Sequence, residues 1–340
     1  MAVRAAPLAI RVAARFRVSA PADRSSGRAG RGGATSRTHQ RGGERRRETE
    51  DAHRQGNERS SAVTAAPAAP VLHAGAVPHY PASFPYCICA LTLTQAAVVG
   101  LPRARDLPAL RRFRSGWWAA APAISVIAFV FGLRALSGAA DGLAYLSLVA
   151  VPPLAGLALA GAVRGSRPWL AVLAPALFAI AWIDRSGYAG ETAAIALEAL
   201  SAVTLAVALV AIAPRLLVKL GIVAMAAVDV WLVASDLLSA PNSAFNAVTP
   251  VAHLPQLQSA TFGSAVLGYG DLFAAALLGA LLASRPRLAG RAVVVAAILG
   301  LAADLLFFVV SELPATAPIA LTLLVLEAWQ FRRDRGPLQE

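Results

Sequence analysis

The chain is poor in cysteine, histidine and charge. Of its 340 residues, two are cysteine, five are histidine, and 15% are charged. Cys87 and Cys89 stand as C-x-C at the start of an apolar stretch. Two thiols with no companion cysteine and a few scattered histidines, His253 among them, do not supply the ligand set of a zinc site. They read as small apolar residues, and no metal or other cofactor is expected. No Walker loop, dinucleotide fingerprint, zinc motif or glycine-framed hydrolase serine occurs, so those chemistries have no foothold. No cleavable signal peptide is visible, because the N-terminal region is polar and basic for too long. Met1 and Met225 are the only methionines. A later start would need a non-Met codon, for example at Val63, Val71 or Val77, which a mass spectrum of the mature N-terminus would reveal.

What the chain has instead is apolar sequence, unevenly placed. Hydrophobic residues make up 57% of it. Residues 1–83 are an exception, rich in Arg, Ala, Gly and Ser, with runs such as Glu44-Arg45-Arg46-Arg47-Glu48. No helical or strand period survives there, and such a segment cannot bury enough apolar surface to fold. It is expected to be a disordered basic tail and to account, with the short loops, for much of the net charge of +12. A basic tail can meet nucleic acid or anionic lipid; no nucleic-acid partner is expected here. From residue 84 the pattern is a polytopic membrane protein, all-α, with helices 1–5 over 84–213 and helices 6–9 over 214–335.

A helix needs about twenty apolar residues to cross the hydrocarbon core. Candidate spans are 84–101, 117–137, 142–163, 168–184, 190–213, 216–240, 264–284, 291–310 and 313–330. The first is the weakest, being short and flanked by prolines. Arginines mark alternate loops: Arg103, Arg105, Arg111, Arg112 and Arg114, then Arg164 and Arg167, then Arg215 with Lys219, then Arg285, Arg287 and Arg291, and last Arg332, Arg333 and Arg335. The 138–141 and 241–263 breaks carry no Lys or Arg, Asp184-Arg185 through Glu191 is balanced, and Glu312 stands alone. The positive-inside rule then places the N-terminus outside and the C-terminus in the cytoplasm. A basic tail outside conflicts with that rule, unless the tail is not translated or the first span does not cross. High Ala and Leu content with low charge suits a bacterial inner membrane.

Two acids inside apolar spans carry the functional reading. Asp229 lies mid-span in Val228-Asp229-Val230-Trp231, and Asp271 follows Gly268-Tyr269-Gly270 in the next span. An ionised carboxylate at the bilayer centre costs at least about 2.5 kcal/mol. Two on adjacent spans suggest a pair, and facing carboxylates that share a proton are the chemistry of aspartic proteolysis. The glycines let backbones approach closely and let a substrate strand lie against the site. A third element is Leu313-Pro314-Ala315-Thr316-Ala317-Pro318, whose two prolines free backbone groups at the start of the last span. Asp236 is expected near the outer end of the sixth span. Asp304 and Glu198 read as buried hydrogen-bonding groups, and Arg134 as a side chain that snorkels from a span end.

These three elements, in this order, resemble the presenilin and signal peptide peptidase family of intramembrane aspartyl proteases. That family has nine spans, with an aromatic-Asp motif on the sixth, G-x-G-D on the seventh and Pro-Ala-Leu at the ninth. The resemblance covers about residues 216–330; the first five spans match only in number and spacing. It implies Asp229 and Asp271 as catalytic residues, supported by Gly268, Tyr269, Gly270, Pro314, Ala315 and Thr316. Val228 replaces the family's Tyr, removing a hydroxyl near the first aspartate. Thr316 replaces Leu, so Pro318-Ile319-Ala320 is an alternative register. The cytoplasmic C-terminus agrees with the signal peptide peptidase branch. The implied substrates are transmembrane segments or remnant signal peptides within the bilayer, cleaved by an aspartate-activated water. Alternatives are an inactive relative that binds helices and a transporter using intramembrane acids as a proton relay. Oligomeric state is open.

Overall fold

The computed structural model describes residues 81–334, apart from 106, 137, 186, 236, 238, 249, 251–253 and 309–312. The basic tail over residues 1–80, Asp236, His253, Glu312 and Arg335 lie outside the described residues.

Among the described residues, each of the nine apolar segments carries a helix. They are α1 (Phe84–Gly100), α2 (Ala121–Ala135), α3 (Ala139–Leu157), α4 (Leu173–Ile183), α5 (Tyr188–Ile212), α6 (Arg215–Ala234), then after an extra helix α7 (Ser239–Ala247), α8 (Tyr269–Leu282), α9 (Pro286–Asp304) and α10 (Ala317–Asp334). With their adjoining helical turns, α2, α3, α5, α6 and α9 are long and apolar enough to cross a membrane. α1, α4 and α8 are apolar but shorter, and α10 ends in charge, with Glu327, Arg332 and Arg333 in its last turns.

Proline and glycine set the boundaries. Pro214 is the residue before α6, where its fixed φ directs the chain into the first turn, and Pro286 opens α9. Pro152 and Pro153 interrupt the ladder of α3, which ends in a π-turn over Ala158–Ala162.

One departure from an all-helical chain sits just before the G-x-G-D motif. Two short strands, β1 (Ser259–Phe262) and β2 (Ala265–Gly268), form an antiparallel hairpin with Ser259 opposite Gly268. Gly263 takes φ +55° at the first position of the two-residue turn, a region a glycine enters without strain. Its N–H donates to the Glu191 carboxylate at 2.7 Å, and the Tyr188 ring packs on Phe262 with centroids 5.4 Å apart. The seventh segment is therefore part strand and part helix: α8 starts at Tyr269, five residues later than the apolar run begins. Its fourteen residues reach only about 21 Å.

The core is built around α8. Leu272 and every residue from Ala274 to Leu282 are buried, as befits a helix apolar all round. α8 packs between α5 and α1, and α1 packs in turn on α9. The first segment is thus packed against two helices while Tyr86 and Leu93 stay exposed. At Gly279 a Cβ would collide with the Val99 carbonyl of α1, so this glycine permits the close helix contact. α6 packs against α2 and α10. Lys219 of α6 and Glu327 of α10 form an ion pair at 2.7 Å, which places those two helix ends on one face; exposed as it is, the pair adds little stability.

Candidate active site

Both aspartates line one cavity of about 760 Å³, a size typical of ligand pockets. Each also lies a similar number of residues from an arginine. Asp229 is fourteen residues beyond Arg215, and Asp271 fourteen before Arg285. At ~1.5 Å per helical residue, Asp229 sits roughly 20 Å along α6 from Arg215, and Asp271 roughly 17 Å from the end of α8 at Leu282. The two carboxyls interact electrostatically across the space between α6 and α8.

Local structure explains how Asp271 is held. Gly268 is the N-cap of α8, and Asp271 is the third residue of the helix. Its carboxylate reaches back to accept the Gly268 N–H, half of a capping box. The negative group also suits the positive end of the helix. A Cβ at Gly268 would lie 3.0 Å from Asp271 Oδ2, whereas one at Gly270 would meet nothing within 4 Å. The two glycines therefore differ: the first lets the carboxylate fold back, and the second leaves cavity space open.

Tyr269 anchors the same turn sideways. Its hydroxyl lies 3.0 Å from Ser201 Oγ on α5. Ser201 spends its own hydrogen on the Glu198 carbonyl at 2.8 Å, so Tyr269 is the donor to Ser201. The Glu198 side chain is fully buried close to Tyr269, and neither carboxyl oxygen has a hydrogen-bond partner among the described residues. Glu198 does not line the aspartate cavity.

Asp229 is held by the proline element. Thr316 Oγ1 donates to Asp229 Oδ2 at 2.7 Å. Leu313, Ala315 and Thr316 line the cavity, with Pro314 buried beside them; Pro318, Ile319 and Ala320 are helical and do not line it. Of the two registers, Pro314-Ala315-Thr316 is thus the one at the aspartates. Val228 packs in an apolar cluster with Val130 and Leu232 and offers no hydroxyl, while the threonine at 316 supplies one to Asp229.

A residue that sequence reasoning passed over joins these parts. Gln95 of α1 is buried. Its side-chain amide donates to the Asp271 carbonyl at 3.2 Å and to the Ala315 carbonyl at 3.0 Å. One amide therefore ties the first turn of α8 to the proline element. Its polarity inside an apolar run was the only available signal.

Over the cavity lies α7, inside the segment read as a loop. Phe245 packs edge-on against Phe129 of α2, with centroids 4.9 Å apart. Asn242 and Asn246 line the cavity beside it. Asn246 accepts from Ser259 of β1, and Gln256 and Gln258 both donate to the Val248 carbonyl. Elsewhere, Asp304 bonds to Thr92 of α1 and stays out of the cavity. Arg134 reaches the Leu237 carbonyl at 2.8 Å from the exposed end of α2. Among the described residues, no group of acids, histidines and cysteines could hold a metal ion. Comparison of the chain with protein-family models, curated proteins and solved structures gives no match in any of the three.

Proposed function

We propose that the chain is an intramembrane aspartyl endopeptidase, a member of the presenilin and signal peptide peptidase family, with Asp229 and Asp271 as its catalytic pair. The observation that carries this reading is the meeting of two carboxylates from different apolar helices on one largely apolar cavity. In the proposed reaction a water lies between them. One ionised carboxylate takes a proton from that water as it attacks the scissile carbonyl. The protonated partner stabilises the developing gem-diol and then helps protonate the leaving nitrogen. The pair titrates as a unit, so the shared proton belongs to both.

A helical substrate hides its peptide bonds in its own ladder and must unwind. Val266 and Gly268 of β2 line the cavity, and β2 runs directly into the Asp271 turn. An unwound substrate segment is proposed to lie extended beside β2 and the Pro314 element, as in strand addition. The nine helices are proposed to cross a bacterial inner membrane with the C-terminus in the cytoplasm. The transporter reading calls for acids along a continuous path; Glu198 and Asp304 lie off the cavity wall, which favours the protease.

A transition-state mimic tests the reaction directly. A single-span peptide with a hydroxyethylene in place of the scissile amide should bind at least about 100-fold more tightly than its parent peptide. Equal binding of the two would count against hydrolysis at this site.

Thr316 gives a finer test. Thr316→Val removes the hydroxyl from Asp229 at nearly constant volume. Hydrogen bonds to charged groups contribute about 1.5–3 kcal/mol, so turnover should fall roughly ten- to a hundredfold. Thr316→Ser should stay near wild type. The kcat values of the two variants on one peptide substrate check this, and equal values would remove Thr316 from the account.

A further inference from the structure

A second cavity, of about 390 Å³, shares no wall with the first. Arg103 and Arg105 reach it from the loop after α1. Gly161 and Ser166 reach it from the connection between α3 and α4. The two loops are fastened by their backbones. The Arg103 N–H donates to the Ala162 carbonyl at 2.8 Å, and the Arg164 N–H to Leu101 at 2.9 Å. Pro102 and Val163 form an antiparallel bridge, and Arg164 Nε donates to the Pro102 carbonyl at 3.2 Å. The arginine-bearing loop is thus fixed in place.

Within this frame polar residues of both loops line the cavity. The Arg105 guanidinium lies against Gly161, where any Cβ would collide with it. The Ser166 hydroxyl is buried in the wall without a hydrogen-bond partner among the described residues. A buried hydroxyl left unpaired is costly, and a ligand oxygen would satisfy it. No carboxylate lines this cavity among the described residues. The Arg105 guanidinium, with Arg103 on the same wall and a spare hydroxyl donor, matches the oxygens of a phosphate group. Trp169, three residues past Ser166, is 62% exposed, and exposed tryptophans beside apolar helices settle at headgroup depth.

We propose that this cavity binds a phosphate group, and that the group is the headgroup phosphate of an anionic membrane lipid. Native mass spectrometry of the purified full chain tests this, with dioleoylphosphatidylglycerol or zwitterionic dioleoylphosphatidylcholine as probe. Wild type should retain one phosphatidylglycerol in preference to phosphatidylcholine. Arg103→Ala/Arg105→Ala should weaken that retention about tenfold or more. The control pair Arg287→Ala/Arg332→Ala removes the same charge from exposed helix ends and should not. Ser166→Ala, which keeps both arginines, should weaken retention several-fold with an unchanged or higher melting temperature; this guards against a fold defect in the double variant. A second arm offers inorganic phosphate alone, followed by calorimetry. Arginine-dependent binding of phosphate without lipid preference would keep the phosphate site and overturn its lipid source. Equal loss in the control pair, or no loss in Arg103→Ala/Arg105→Ala, would overturn the site itself.

Discussion

Asp229→Asn and Asp271→Asn should each lower peptide cleavage by roughly 10³-fold or more while the helix bundle stays assembled. Asparagine keeps the shape of the aspartate but can neither take a proton from water nor return one. It still fits its local contacts. In Asp271→Asn the side-chain carbonyl can accept the Gly268 N–H, and in Asp229→Asn it can accept from Thr316. Asparagine also places no charge in this half-buried cavity, so thermal stability should hold or rise. The double variant should be barely worse than either single one, because the two groups act as a unit. Turnover of a labelled single-span peptide, with melting temperature and elution volume measured alongside, separates this outcome from simple misfolding. Full activity in either single variant would remove that aspartate from the mechanism.

Gln95→Leu should produce the second-largest loss, from a residue that touches neither carboxylate. Its amide donates to carbonyls on both sides of the site, and its surroundings on α1 are packed against α8 and α9. Leucine fills similar volume but leaves the Asp271 and Ala315 carbonyls without those donors. Each buried group so deprived costs about 1–3 kcal/mol. The expected result is a lower melting temperature together with a drop in kcat of about tenfold or more, as the α8 turn and the proline element lose their common tie. Gln95→Glu is the informative companion. Protonated, it can donate to only one of the two carbonyls, so it should fall between wild type and Gln95→Leu. A Gln95→Leu variant with reduced stability but unchanged kcat would assign Gln95 to packing alone.

The helices were legible because about twenty apolar residues between arginine-marked breaks leave few alternatives to a helix in lipid. The aspartates stood out for the converse reason: an acid inside such a run is costly enough to need a purpose. The hairpin was hidden. Ala265-Val266-Leu267-Gly268 is a short apolar run, and periodicity over four residues cannot separate strand from helix. Helix α7 was missed within the 241–263 break, where proline and asparagine are residues that favour turns over helix. Thr316 was visible only as a departure from a family pattern; its bond to Asp229 depends on how the Pro314 turn presents it. Gln95 and Ser201 lie more than a hundred and about seventy residues, respectively, from the parts of the site they hold, and no local motif marks either one.

In the proposed reaction water is added across a peptide bond inside a membrane segment. The most direct measurement is mass spectrometry of a single-span peptide incubated with the reconstituted protein in H₂¹⁸O. Two fragments divided within the apolar run are expected, with one ¹⁸O in the new terminal carboxyl group, and no such fragments with Asp271→Asn. An intact peptide, accompanied by proton flux that disappears in the same variant, would contradict that reaction and turn the two aspartates into a transport relay.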